Sequence, residues 1–164
     1  MLHAGEVAPD FLLPDADMAW VDSRSVYGQY HAVLFFYPRD NTPNCIIEAA
    51  DFSDHESEFA KLGCKIFGVS RDDCYSHANF RDLHGLSVPL LSDEKGEVCR
   101  QFGVSQYREH DGHKKLCIIR STFVIDKNGI VQHALYNVQP KGHAATVYQL
   151  VQRLNGKGKH HADR

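Results

Sequence analysis

The run HAVLFFYP, residues His31–Pro38, constrains the fold more than any other stretch of the chain. It shows no alternation between polar and apolar side chains, so the strand it predicts must be covered on both faces, as in a parallel sheet between helices. A second run of this kind, Cys64–Ser70, follows a helical pattern that extends from Pro43 to Leu62. The two runs therefore predict parallel neighbouring strands joined by a helix.

Strand and helix patterns continue to alternate toward the C-terminus. A helix with a polar start ends near Gly85, and a short strand and a short helix follow it. The segment Arg120–Tyr136 has the pattern of a β-hairpin turned at Asn128-Gly129, and a final helix ends at Gly156. This order predicts an α/β fold with one central mixed β-sheet flanked by helices.

Size and charge limit the classes of protein to which the chain can belong. Its 164 residues suffice for one domain, which we expect over residues 1–155, with a polar tail over residues 156–164. The net charge is −3 without a basic stripe, so nucleic acid is not an expected partner. No apolar run approaches the roughly 20 residues that span a bilayer, and the N-terminus lacks the layout of a signal peptide. We therefore expect a cytoplasmic protein without a membrane partner.

The cysteines and histidines do not have the spacing of a disulfide framework or a metal site. The five cysteines stand at wide, irregular intervals without a C-x-x-C pair. The histidine-rich stretches Glu109–His113 and His160-His161 lack a helical ligand spacing with a third partner. We expect free thiols, most of them small core residues, histidines in exposed loop or tail, and neither a metal nor an organic cofactor.

One cysteine, Cys45, lies where a thiolate would be stabilised. Pro43 suits the first position of a helix, which makes Thr42 the capping residue and places Cys45 in the first turn. There the backbone N–H groups and the helix dipole favour an anion, and the pKa of a thiol in such a place falls below its free value of about 8.5. The Thr42 hydroxyl can donate to sulfur or to a bound oxygen, while Pro38 offers an apolar ring without a donor.

A positive charge is expected beside this thiolate. Arg120 precedes residues that should be buried, and an arginine at the edge of a core strand needs an anionic partner. The Cys45 thiolate would serve, and so would Glu48, one helical turn further on. A lone cysteine at a helix start is more often structural than catalytic, but its combination with Arg120 indicates a reactive thiol.

The motif around Cys45 resembles a known family. Pro38, Thr42 and Cys45 have the P-x-x-x-[TS]-x-x-C spacing of peroxiredoxins, and the surrounding FYPRDNTPNCIIEAADF resembles the bacterioferritin-comigratory, or Q-type, branch. GEVAPDFLLPD, GVSRD, VCRQFGV and RSTFVIDKNGIV extend the similarity over about residues 5–155.

The resemblance implies a thioredoxin-like fold and a monomer that reduces hydrogen peroxide or organic hydroperoxides in antioxidant defence and cell redox homeostasis. In that scheme Cys45 is the peroxidatic cysteine, with Thr42, Pro38 and Arg120 around it. Glu48 would orient the guanidinium of Arg120. The chemistry needs no cofactor, because the thiolate itself attacks the peroxide.

The chain departs from the family at the usual positions of a resolving cysteine, which hold Ala50 and Arg81. The sulfenic acid of Cys45 would then be reduced by thioredoxin, glutaredoxin or a low-molecular-weight thiol in a one-cysteine cycle. Cys74 and Cys117 remain candidate resolving residues of an atypical two-cysteine cycle, because we expect both at the same edge of the sheet as Cys45. Even so, a disulfide would require the first turn of the helix to unwind.

A second class of function also stays open. A sensor on the same fold would oxidise at Cys45 and pass the oxidation to a partner instead of turning over. The missing resolving cysteine favours the sensor, whereas the complete motif favours the enzyme, and the fold alone does not decide between them.

Overall fold

The computed structural model describes residues 1–162, with side chains through residue 155. The strands and helices in chain order are β1 (Leu12–Pro14), β2 (Trp20–Asp22), β3 (His31–Phe36), α1 (Pro43–Lys61), β4 (Cys64–Ser70), α2 (Cys74–His84), β5 (Leu90–Ser92), α3 (Glu97–Gln101), β6 (Ser105–His110), β7 (His113–Ile118), β8 (Ser121–Ile125), β9 (Val131–Tyr136) and α4 (His143–Ala162).

A five-stranded mixed sheet in the order β5-β4-β3-β8-β9 forms the centre of the molecule. Strands β3, β4 and β5 are parallel, whereas β8 is antiparallel to β3, and β9 is antiparallel to β8. The predicted α/β fold with a central mixed sheet is therefore confirmed. In the described part of the chain, no helix is both long and apolar enough to cross a membrane.

Strand β3 is buried along its whole length, as the run HAVLFFYP predicts. Val33 and Phe35 lie in a core with residues of α1, α2 and α4, on one face of the sheet. Leu34 and Phe36 lie in a second core with residues of α3 and the N-terminal segment, on the other face. Because both faces are covered, the carboxyl end of β3 is held firmly where the chain turns toward α1.

The antiparallel pairing of β8 with β3 places Arg120 beside that turn. Phe36, the last residue of β3, pairs with Ser121, the first residue of β8. Arg120 immediately precedes Ser121, so its backbone lies next to the segment that connects β3 to α1. Residues that are 75 positions apart in sequence, Cys45 and Arg120, are thereby brought to one edge of the sheet.

Three segments differ from the sequence-based expectations. The stretch that includes Glu109–His113 was expected to be an exposed loop or tail; it is exposed, but it forms the hairpin of β6 and β7. Its turn is Asp111-Gly112, with both residues at positive φ, which is a sequence signal for a hairpin. The expected irregular N-terminal stretch contains the antiparallel pair β1 and β2.

The third difference is the end of the last helix. Gly156 was expected to terminate α4, but the helix continues to Ala162. A glycine inside a helix costs only about 1 kcal/mol relative to alanine, so a single glycine does not have to end one. Residues 163–164 of the expected tail, and the side chains of His160 and His161, lie outside the described residues.

Candidate active site

Helix α1 begins as the TPNC motif predicts. Thr42 is the N-cap residue in an extended conformation, Pro43 is the first helical residue, and Cys45 is the third. The Thr42 hydroxyl donates to the carbonyl oxygen of Arg39 at 2.9 Å, and no side chain caps the helix. The N-terminus of α1 therefore remains a place where backbone N–H groups favour an anion.

Arg120 joins Cys45 to the buried carboxyl group of Glu48. Its Nη2 donates to the Sγ atom of Cys45 at 3.2 Å, and its Nη1 donates to Oε1 of Glu48 at 2.8 Å. The arginine side chain is 12% exposed, and Cys45 itself is 1% exposed. One guanidinium thus contacts both the Cys45 sulfur and the Glu48 carboxyl group, as was expected from its position at the edge of a core strand.

Glu48 is only partly satisfied by this contact. Its Oε2 atom is buried and has no hydrogen-bond partner among the residues that the structure describes. Burial raises the pKa of Glu48 to about 7, against the opposing effect of Arg120. Desolvation of the carboxylate outweighs the attraction of the guanidinium here, so this carboxyl group can exchange a proton near neutral pH.

The structure brings three of the five expected site residues into direct contact: Cys45, Glu48 and Arg120. Thr42 is half-buried at the N-cap, and its hydroxyl is turned toward Arg39 rather than toward sulfur. Pro38 is exposed in the segment that follows β3.

The two candidate resolving cysteines lie on elements other than α1, the helix that carries Cys45. Cys74 is the half-buried first residue of α2, and it lines a groove with residues of β1 and with Ser92 of β5. Cys45, in the first turn of α1 after β3, instead contacts Arg120, which precedes β8. Both are free. A Cys45–Cys74 disulfide would require this region to rearrange.

Cys117 does not lie on a strand of the central sheet. It belongs to β7, which pairs only with β6 in a separate two-stranded sheet. Its half-buried thiol lies 3.8 Å from the carbonyl oxygen of Lys115. The reason is local: the Asp111-Gly112 turn pairs this segment with the residues just before it.

A buried polar cluster beside the site was not anticipated from the sequence. Asp40, in the segment between β3 and α1, is bonded to His77 of α2, and Asp72 lies next to them. The spacing of these three side chains would suit a metal ion. Each of the three ligand atoms, however, already makes hydrogen bonds to protein atoms.

Comparisons with known proteins match most of the chain to one family. The AhpC/TSA family model matches residues 4–134. A putative peroxiredoxin bcp of Helicobacter pylori strain J99 is 40% identical over 148 residues, which are 90% of this chain and 97% of the relative. Peroxiredoxin Bcp of Bacillus subtilis strain 168 is 35% identical over 156 residues, which are 95% of this chain and 99% of the relative.

Solved structures show the same similarity. Peroxiredoxin Q of Xanthomonas campestris superposes with a TM-score of 0.83 at 37% identity, covering 87% of this chain and 90% of the other. Peroxidoxin BcpB of Mycobacterium tuberculosis gives a TM-score of 0.84 at 32% identity, covering 93% and 98%. The thioredoxin-like fold is therefore confirmed, and the chain belongs to the AhpC/TSA family, in its Bcp or peroxiredoxin Q branch of thiol-dependent peroxidases.

Proposed function

We propose that Cys45 is the peroxidatic cysteine of this enzyme, with Arg120, Thr42 and Pro38 forming its pocket and Glu48 orienting the guanidinium. The observation that carries the proposal is the 3.2 Å contact from Arg120 Nη2 to Cys45 Sγ at the start of α1. A guanidinium and a helix N-terminus act on the same sulfur, and both favour the thiolate, which is the nucleophilic form.

The chemistry of this arrangement is a displacement at oxygen. The thiolate of Cys45 attacks the terminal oxygen of the hydroperoxide, an S–O bond forms, and the O–O bond breaks. The other oxygen leaves as hydroxide or alkoxide and takes a proton from water, while the sulfur becomes a sulfenic acid. Arg120 and the N–H groups of α1 stabilise the negative charge as it moves from sulfur to the leaving oxygen.

The proposed substrates are hydrogen peroxide and organic hydroperoxides, in antioxidant defence and redox homeostasis of the cytoplasm. The bacterioferritin comigratory protein of Xanthomonas campestris, which is 36% identical, has an alkyl peroxide reduction activity. We further propose that residues 1–155 form one monomeric domain. Neither proposal calls for a metal or an organic cofactor.

Recycling of the sulfenic acid requires a thiol reductant, and we propose thioredoxin, glutaredoxin or a low-molecular-weight thiol in a one-cysteine cycle. The usual positions of a resolving cysteine, which hold Ala50 and Arg81, support this proposal over an internal disulfide. An atypical two-cysteine cycle through either residue remains the alternative that the experiment must test.

The test is intact mass and peptide mapping after one equivalent of hydrogen peroxide without reductant. Gain of oxygen on Cys45 alone is expected, followed by steady peroxide consumption when a thioredoxin or glutaredoxin system is added. Loss of two hydrogens mapped to Cys45–Cys74 or Cys45–Cys117 would replace the one-cysteine cycle with a two-cysteine one. An unmodified Cys45 would contradict the proposed role, and a single stoichiometric burst with every reductant would indicate a sensor.

A further inference from the structure

Asp40 has a buried carboxyl group, and both of its oxygens are hydrogen-bonded. Its side chain is 3% exposed. Oδ1 accepts from the hydroxyl of Tyr37 at 2.6 Å, and Oδ2 accepts from the hydroxyl of Ser76 and from Nδ1 of His77, both at 2.8 Å. Three side chains, one just after β3 and two in the first turn of α2, thus converge on one carboxyl group, which offsets the cost of burying it.

Both ring nitrogens of His77 are hydrogen-bonded within the protein. His77 is 0% exposed, and its Nε2 lies 3.0 Å from the carbonyl oxygen of Leu91, which can only accept. Its Nδ1 faces the carboxylate of Asp40. The two side chains therefore form a buried hydrogen-bonded pair, and the carbonyl oxygen of Leu91 in β5 accepts from the Nε2–H of the ring.

The Asp40–His77 pair connects the segment between β3 and α1 to helix α2 and strand β5. Asp40 lies between exposed neighbours, Arg39 and Asn41, and it is the buried residue of the short link from Pro38 to Thr42. Its backbone N–H also donates to Oδ2 of Asp72 at 2.9 Å. The link is therefore anchored through Asp40, to α2 through His77 and to the end of β4 through Asp72.

We propose that Asp40 and His77 are positioning residues for the reaction at Cys45. By locking the link onto α2 and β5, their hydrogen bond sets where Thr42 and the first turn of α1, which carries Cys45, lie relative to Arg120. Neither residue touches the reacting atoms. The inference rests on the proposed function, because it concerns the geometry of the same peroxidatic cysteine. Removing either partner leaves the other buried without its hydrogen-bond partner, so the single variants displace the link.

The variants Asp40→Asn and His77→Asn, and the double variant, test this proposal. The readout is the second-order rate of Cys45 oxidation by hydrogen peroxide, measured at a temperature where circular dichroism shows each protein folded. Each single variant is expected to slow oxidation about tenfold or more, from the cost of a broken buried pair. The double variant, whose two amides can bond to each other, is expected to recover part of the rate.

His84→Asn is the matched control. His84 lies on the same helix, and its Nε2 reaches Oδ1 of Asn41 in the same link at 3.2 Å, but it is exposed. Its rate is expected to stay within about twofold of the wild type. If a single variant does not fold, Tyr37→Phe removes one donor to Asp40 while keeping the ring, with an expected slowing of about threefold.

Nitrogen-15 spectra of the wild-type histidines supply an independent readout. Ring N–H protons of His77 that exchange slowly with solvent are expected for a buried ring bonded to Asp40 and Leu91. Ring protons that exchange as fast as those of the exposed His84 would overturn the inference. If wild-type Cys45 does not react with peroxide, the proposed function fails and the inference with it. If the wild type reacts and the folded variants match its rate, only the inference is overturned.

Discussion

Cys45 and Cys99 occupy the same helical position in two different electrostatic environments. Cys45 is the third residue of α1, and Cys99 is the third residue of α3. Both are fully buried, at 1% and 0% exposure. Position in the first turn and burial are therefore shared, and neither property distinguishes a nucleophile from a core residue.

The charged group beside each sulfur is what differs. The carboxylate of Asp93 accepts from the backbone N–H groups of Val98 and Cys99, at 3.3 and 2.8 Å, and so occupies the N-terminus of α3. Burial and this carboxylate raise the pKa of the Cys99 thiol. At Cys45 the neighbouring charge is the guanidinium of Arg120, and the sulfur itself lies at the uncapped helix start.

Cys45 also has a carboxylate nearby, but that carboxylate is turned away. Glu48 Oε1 accepts from Arg120 rather than from the first turn of α1. The comparison predicts that a helix N-terminus activates a cysteine only under two conditions. No carboxylate accepts from the N–H groups of the first turn, and a cation faces the sulfur.

The largest expected effect comes from removing each sulfur in turn. Cys45→Ser should abolish peroxide consumption, because a hydroxyl in this pocket is a poor nucleophile at neutral pH. Cys99→Ser should keep the wild-type rate and change the free energy of unfolding by only about 1 kcal/mol, which is typical of a small core substitution. A peroxidase assay and a urea titration of both variants check this. Loss of activity in the Cys99 variant would break the comparison.

Removing the positive charge should give the next largest effect. Arg120→Met is expected to slow Cys45 oxidation about 10²-fold, since the substitution removes the donor that stabilises charge on sulfur and on the leaving oxygen. The pH midpoint of Cys45 alkylation should rise in the same variant. Arg100→Met is the matched control, because Arg100 is an exposed arginine next to Cys99. An alkylation profile identical to that of the wild type would contradict the electrostatic account.

Glu48 allows a pH-dependent test of the carboxylate at the Cys45 site. Burial raises the pKa of Glu48 from 4.5 to about 7, so between these values the folded state keeps a proton that the unfolded state releases. Its contribution to stability is therefore fully present below about pH 4.5 and is lost as the pH rises through about 7, amounting to about 3 kcal/mol.

Urea titrations between pH 5 and pH 8 measure this contribution. Glu48→Gln should flatten the decline in unfolding free energy over that range. Glu58→Gln, an exposed glutamate on the same helix, should leave the decline unchanged. If the unfolding free energy of the wild type does not decline between pH 5 and pH 8, Glu48 is already ionised at pH 5. That result would contradict the raised pKa of this carboxyl group.

Much of this arrangement could be predicted from local patterns in the sequence. The apolar run His31–Pro38 predicts a strand covered on both faces, and TPNC predicts a helix that starts at Pro43 with Cys45 in its first turn. The pairing of Arg120 with Cys45 and Glu48 follows from a general requirement, because a cation at the edge of a core strand needs an anion. Each of these inferences depends on a signal in the sequence: the pattern of apolar residues, a helix cap, or a charged residue that needs a partner.

The contacts that could not be predicted depend on distant segments. Asp40 and His77 are 37 residues apart, and neither stands in an apolar period that would mark it as buried. Asp93 likewise looks like an ordinary turn residue after β5 until its carboxylate is seen to bond to the N–H of Cys99. The β6–β7 hairpin is different, because Asp111-Gly112 is a hairpin signal that the sequence displays.

The smallest expected effect concerns the carboxylate at the Cys99 site. Asp93→Asn should lower the free energy of unfolding by about 1 kcal/mol, because an amide caps the N–H groups of α3 less well than a carboxylate does. Cys99 should stay unreactive toward peroxide, since the substitution removes a negative charge without supplying a cation. Asp73→Asn, at the N-cap of α2 where the side chain accepts from the N–H of Ser76, is the matched capping control.

The mapped oxidation products of the Asp93 variant decide whether a buried cysteine needs both an uncapped helix start and a neighbouring cation to react. If peroxide oxidises Cys99 in Asp93→Asn, then an uncapped helix start is sufficient to activate a buried cysteine, and Arg120 only adds to it. If Cys99 remains a thiol while Cys45 is oxidised at the wild-type rate, the cation is required. Because Arg120 approaches Cys45 within 3.2 Å and a buried thiolate without a counter-charge is strongly disfavoured, we expect the second result.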